Sequence, residues 1–125
     1  MLPNRVVLFF VLFFSLNSFL TAQNADFVRN SLLQKSRQAT KYFREQYFEK
    51  SLLLSREVLK QALLMNDSIL IAASYNTIGY NYNEFSEFDK SIEYYKKALF
   101  YANKTTNDSL KFKANNNLGN LYCFE

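Results

Sequence analysis

Between Phe88 and Leu99 the apolar and small positions fall at Phe88, Ser91, Ile92, Tyr95, Ala98 and Leu99, in steps of three and four that lay one stripe along a helix. Forty residues upstream the same steps return at Phe48, Ser51, Leu52, Ser55, Val58 and Leu59. A different stripe precedes each. Ala72, Tyr75, Ile78, Gly79, Tyr82 and Phe85 come before the later one, with Leu32, Ala39 and Tyr42 as a weaker counterpart before the earlier. The pattern predicts helices in the order A, B, A, B, near residues 26–44, 48–65, 68–84 and 87–102, and a fifth from 109 to the end. Polar breaks agree with this division. Asn66-Asp67-Ser68 and Asn107-Asp108-Ser109 offer short side-chain oxygens that cap a following helix, and Asn103 to Ser109 reads as a loop. No proline follows Pro3. The fold class predicted is all-α.

A stretch of another kind lies before the periodic region. Arg5 precedes an apolar run from Val6 to Leu20, interrupted by Ser15, Asn17 and Ser18 and followed by Thr21-Ala22-Gln23. A cationic start, a short apolar middle and a small-residue exit form the pattern of a secretory signal peptide, here residues 1–22 with cleavage after Ala22. The alternative is an uncleaved anchor. A spanning helix needs roughly 20 apolar residues, and this run is shorter and polar towards its end. Either way the rest of the chain is expected outside the cytoplasm, periplasmic or secreted, since the positive residue stays inside. No Cys stands near the exit to accept a lipid. Membrane contact would then come only through a retained leader or a segment beyond residue 125.

Gly79 and Gly119 are the chain's two glycines, forty residues apart and both inside predicted helices. Glycine there costs about 1 kcal/mol relative to alanine, so each position needs a reason. Gly79 follows Ile78 and stands three before Tyr82; Gly119 follows Leu118 and stands three before Tyr122; Ala39 stands three before Tyr42. A small residue recurring at one helical position predicts close approach of helix A to helix B, with Ser51 and Ser91 facing it. The unit that repeats is a helical hairpin.

On Tyr75, Ile78-Gly79, Tyr82, Ser91, Tyr95 and Ala98 the chain resembles the tetratricopeptide repeat. Unit one covers about 32–71, unit two about 72–111, and a partial unit three about 112–125, which keeps Leu118-Gly119 and Tyr122. Two features depart from the family pattern. Asn103 stands where its closing proline would lie, and the period is forty residues against the family's usual 34. Longer helices or loops absorb that surplus, as in the extended repeats of exported bacterial proteins, peptide-binding regulators and kinesin light chains. The resemblance implies an α-solenoid of about two and a half repeats after the leader.

It also implies a concave groove lined by the A helices. Off the packing stripe, unit two would offer Ala73, Asn76, Thr77 and Tyr80, and unit three Lys113, Asn116, Asn117 and Asn120, with Ser36 and Thr40 in unit one. Asparagine both donates and accepts, so a ladder of such side chains can hold an extended peptide backbone whatever its sequence. Lys113 adds attraction for a carboxylate. The function implied is binding of a protein or peptide partner. The alternative is the extracytoplasmic input region of a bacterial sensor kinase or transcriptional regulator, its output lying beyond residue 125. The stripe of unit three has no B helix to cover it, which reads as a fragment of a longer protein, or as a last helix packed on a partner or a second copy.

Composition narrows the chemistry further. With Arg5 set aside, fourteen basic residues face eleven acidic ones, a net +3 spread without a block. Nucleic-acid binding asks for a basic stripe and is not expected. The chain has no His and a single Cys, Cys123, so ordinary zinc sites and His-based triads are excluded, and no disulfide framework forms. Cys123 is expected as a small buried hydrophobe. Nothing near the glycines could cradle a phosphate. Glu84, Glu87, Asp89 and Glu93 gather at a turn and helix start and read as a solvated face favoured by the helix dipole. The reading is a non-enzyme with neither metal nor cofactor. Asp67-Ser68-Ile69 and Asp108-Ser109-Leu110 resemble acceptors for O-glycosylation in exported bacterial proteins, with helix capping as the simpler use.

Overall fold

The computed structural model describes residues 3–123. They form five helices, α1 (Asn4–Arg44), α2 (Phe48–Met65), α3 (Ser68–Glu84), α4 (Phe88–Ala102) and α5 (Asp108–Tyr122), and no strand occurs among the described residues. Helices α2 to α5 begin within a residue of the positions the apolar stripes predict. The first does not. It starts at Asn4 rather than near residue 26 and runs through Ala22 as one helix of 41 residues. Neither Pro nor Gly lies between Asn4 and Arg44 to break it.

The chain divides into two compact units between Ser31 and Leu32, within α1. In the first, the large apolar side chains from Val7 to Leu20 are exposed. The hydroxyls of Ser15, Ser18 and Thr21 donate to the carbonyls of Leu12, Phe14 and Ser18 at 2.8, 2.8 and 2.9 Å, so these polar interruptions are satisfied inside the helix. The helix is long and apolar enough to cross a membrane by length and composition.

In the second unit consecutive helices run antiparallel, as their short connections require. The pairings give the direction. Lys35 meets Glu57 at 2.5 Å while Phe43 lies 5.5 Å from Phe48, so the numbers rise along α1 as they fall along α2. Tyr75 lies 5.9 Å from Tyr101 and Tyr82 lies 5.3 Å from Tyr94, which turns α4 back along α3. The main core gathers Leu32, Val58, Ala62, Leu70 and Ile71 from α1, α2 and α3. Burying one such large side chain stabilises by about 1.5–3 kcal/mol.

The forty-residue period is written in the backbone as well. Gln46 and Ser86 both take positive φ, 65° and 60°. At each turn the amide of the next residue reaches back: Tyr47 to the Tyr42 carbonyl and Glu87 to the Tyr82 carbonyl, both 2.9 Å. These are matching left-handed helix ends that satisfy otherwise orphaned carbonyls. The N-caps match too. The Asp67 carboxylate accepts from the amides of Ile69 and Leu70, and the Asn107 side chain accepts from Leu110. Asp67 is the middle of its polar triplet and Asn107 the first of its own, because the period pairs 67 with 107.

Gly79 has the close approach its position predicts. The Ser91 hydroxyl donates to the Gly79 carbonyl at 2.9 Å, and a Cβ on Gly79 would stand 2.5 Å from Cε1 of Tyr95. Ser51 serves α3 differently, accepting from Asn81 at 2.9 Å. Around Gly119 nothing lies within 4 Å of such a Cβ. Of the other repeat positions, Ile78, Tyr82, Ala98 and Leu118 are buried, Tyr75 is half-buried and Tyr122 is exposed. Phe85, Phe88 and Cys123, all expected inside, are outside. Phe88 is 53 % exposed because it borders an open cavity, and Cys123 is exposed just past the end of α5.

Candidate interaction groove

The polar residues predicted for the A-helix face separate into two groups. Asn76 is buried, and its Oδ1 accepts from Asn117 Nδ2 at 2.8 Å, joining α3 to α5. Thr77 is buried with its hydroxyl donated to the Ala73 carbonyl at 3.1 Å. Both therefore belong to packing rather than to an open face, which corrects the expectation for them. Helical period gives the angle of a residue around its helix and not what lies at that angle. Lys113, Asn116 and Asn120 are exposed along α5, while Asn117 is half-buried. Tyr80 is half-buried, stacked on Phe43 at 5.2 Å and edge-on to Tyr95 at 5.8 Å.

An open cavity of about 1310 Å³ lies between the end of α3, the start of α4 and the last turns of α5. Its walls include Tyr80, Asn83, Phe88, Ile92, Asn117, Asn120 and Leu121. Three predicted groove residues, Tyr80, Asn117 and Asn120, thus meet at one place; Asn83 and Phe88 were not foreseen there. The sequence did carry a signal for them. One period earlier the matching place is filled by rings, Phe43 lying 5.5 Å from Phe48 and 5.2 Å from Tyr80, with Phe48 in turn 6.3 Å from Phe85. Forty residues on, Phe43 becomes Asn83, Phe48 becomes Phe88 and Tyr80 becomes Asn120. Two rings are replaced by two carboxamides.

No protein-family model and no solved structure matches the chain. One curated relative, the uncharacterized protein ycf37 of Guillardia theta, is 27 % identical over 106 residues, covering 77 % of this chain and 60 % of that protein. The chain spans less than two thirds of this relative's length.

The rim of the cavity is charged. Glu87, Asp89 and Lys90 border it, and the Lys90 ammonium bonds the Glu87 carboxylate, which raises the lysine pKa. Asp89 has no ion pair among the described residues. Deeper in, burial raises the Tyr95 phenol above its ordinary range, so that wall is neutral across physiological pH. Among the described residues no group of His, Cys, Asp and Glu could hold a metal. The walls and rim present three carboxamides, of which Asn117 already donates to Asn76, an exposed ring, and two carboxylates, of which Glu87 is bonded to Lys90.

A buried polar contact also escaped the sequence reading. Asn81 is fully buried, with Nδ2 donating to Ser51 Oγ at 2.9 Å and to the Thr77 carbonyl at 2.8 Å, which ties α2 to α3. Its place between Ile78 and Tyr82, flanked by two stripe residues, was the available sign.

Proposed function

We propose that the chain is a tetratricopeptide-type interaction module, an α-solenoid of helical hairpins whose A helices α1, α3 and α5 hold an extended segment of a protein or peptide partner. The observation that carries this reading is the open cavity walled by Tyr80, Asn117 and Asn120, with Lys113 and Asn116 exposed on the same helix, α5. Peptide backbones present alternating donors and acceptors, and carboxamides answer both. No step of bond making is involved; the module acts by capture. With the leader removed after Ala22, the partner is met outside the cytoplasm.

Capture of partner proteins by the full chain, compared with Asn116→Ala combined with Asn120→Ala, tests the reading. Both residues are exposed, so the variant keeps its helix content by circular dichroism. Loss of capture is expected. Unchanged capture by a folded double variant would end the carboxamide reading.

A further inference from the structure

The internal repeat gives this cavity a filled counterpart, and the comparison says what its ligand looks like. In the first interval the ring of Phe48 is covered by Phe43 and by Phe85, at centroid distances of 5.5 and 6.3 Å. In the second interval the equivalent ring, Phe88, is 53 % exposed, with Asn83 in place of Phe43, while the counterpart of Phe85 falls at position 125, outside the described residues. We infer that the ligand of this cavity is a peptide carrying an aromatic residue beside a basic one, its ring seated on Phe88, its backbone held by Asn83 and Asn120, and its cation paired with Asp89. This rests on the peptide-binding reading above and assigns that site its ligand class.

Three features agree on this chemistry. An aromatic ring is what the fold itself places against Phe48, so the backbone geometry around Phe88 suits the same partner. Aromatic pairs add about 0.5–1.5 kcal/mol beyond the area they bury, provided a ring arrives to make the pair. Asn83 and Asn120 replace Phe43 and Tyr80. They remove apolar bulk and leave donors and acceptors at the wall, an exchange that weakens self-packing and suits a backbone. Among the described residues Asp89 on the rim has no ion pair while Lys90 is engaged by Glu87, so the net charge of these three is negative. Charge complementarity therefore favours a cationic neighbour to the ring. An apolar helix would leave both carboxamides facing apolar surface.

The test titrates the full chain in mild detergent with three capped peptides, Gly-Phe-Lys-Gly, Gly-Ala-Lys-Gly and Gly-Phe-Glu-Gly, followed by amide chemical shifts. The Phe-Lys peptide is expected to bind at least about tenfold more tightly than the Ala-Lys peptide and severalfold more tightly than the Phe-Glu peptide, with added salt narrowing only the second gap. Asn83→Phe combined with Asn120→Tyr restores two rings of the first interval, those of Phe43 and Tyr80, and should abolish binding with helix content intact. If that variant does not fold, Phe88→Ala, a change at an exposed ring, should weaken both Phe-containing peptides and leave the Ala-Lys peptide unchanged. Equal affinity for all three peptides, undiminished in the variants, would overturn this ligand class and leave the peptide-binding reading standing. Binding of none of the peptides would overturn both.

Discussion

Gly79→Ala and Gly119→Ala make the same chemical change at equivalent places forty residues apart, and they are expected to shift stability in opposite directions. Alanine gains about 1 kcal/mol over glycine in a helix interior, and both positions lie inside helices. At Gly79 the new Cβ would stand 2.5, 2.6 and 3.2 Å from Cε1, Cδ1 and Cζ of Tyr95. Carbon atoms rest at about 3.5–4.0 Å, so the ring must retreat by about 1 Å. It cannot swing freely, being 2 % exposed and held edge-on to Tyr80 at 5.8 Å. Pushing α4 away instead strains the hydrogen bond from Ser91 to the Gly79 carbonyl. Overpacking costs about 1–3 kcal/mol and the weakened bond about 1 kcal/mol more. Against the propensity gain, Gly79→Ala should lose about 1–3 kcal/mol, while Gly119→Ala, with nothing within 4 Å of the added methyl, should gain about 1 kcal/mol. Urea unfolding followed by far-ultraviolet circular dichroism measures both, read from the midpoint at unchanged slope. Adding Tyr95→Leu to Gly79→Ala should recover part of the loss, as a double-mutant cycle between contacting residues requires. The reasoning is refuted if Gly79→Ala is as stable as the parent, or if both glycines respond with the same sign.

Other outcomes are measurable in the same way. Ser74 is buried and its hydroxyl has no partner among the described residues, so Ser74→Ala should stabilise by about 0.5–1 kcal/mol; a lower unfolding midpoint would contradict this. Asn81→Ala removes the bond to Ser51 and opens a void in the α2–α3 contact, and should cost about 2 kcal/mol in urea unfolding. Phe88→Ala should change stability by less than about 0.5 kcal/mol, whereas Ile78→Ala, fully buried, should cost about 2–5 kcal/mol. Burial raises the Tyr95 pKa above its ordinary 10.0. Below pH 10 the phenol is neutral folded and unfolded alike; above it the unfolded chain loses the proton first, so stability falls as pH rises from there towards the folded pKa. Melting temperature against pH should show a steeper alkaline decline for the parent than for Tyr95→Phe.

The carboxamides show why some of the groove was legible and some was not. Asn76 and Asn116 occupy equivalent places one period apart. The first is buried and joined to Asn117 from the neighbouring helix; the second faces solvent on α5. The contact that buries Asn76 comes from Asn117 on another helix, and that is a long-range fact. Phe48 and Phe88 repeat the lesson with rings, since each belongs to the same stripe and only the residues arriving from other helices decide how much of it is covered. Asn81 was hidden for the opposite reason. A polar residue among stripe positions reads as surface until its partner, Ser51 on another helix, is known.

Everything governed by the nearest few residues was present in the chain as written. The starts of α2 to α5, the caps at Asp67 and Asn107, the forty-residue period and the small residue needed at 79 all follow from side-chain size, backbone freedom and short-range hydrogen bonding, which act within a turn or two of helix. The length of α1 belongs here too, since no residue between Asn4 and Arg44 breaks it, although the leader pattern drew the expected boundary near 26. The tertiary structure alone decided that Tyr95 fills the space at Gly79 while Gly119 stands open, and that rings close the first interval while Asn83, Phe88 and Asn120 border a cavity in the second. Burial is set by what other segments bring to a position, so equivalent stripe residues forty residues apart, such as Phe48 and Phe88, are covered in one place and open in the other.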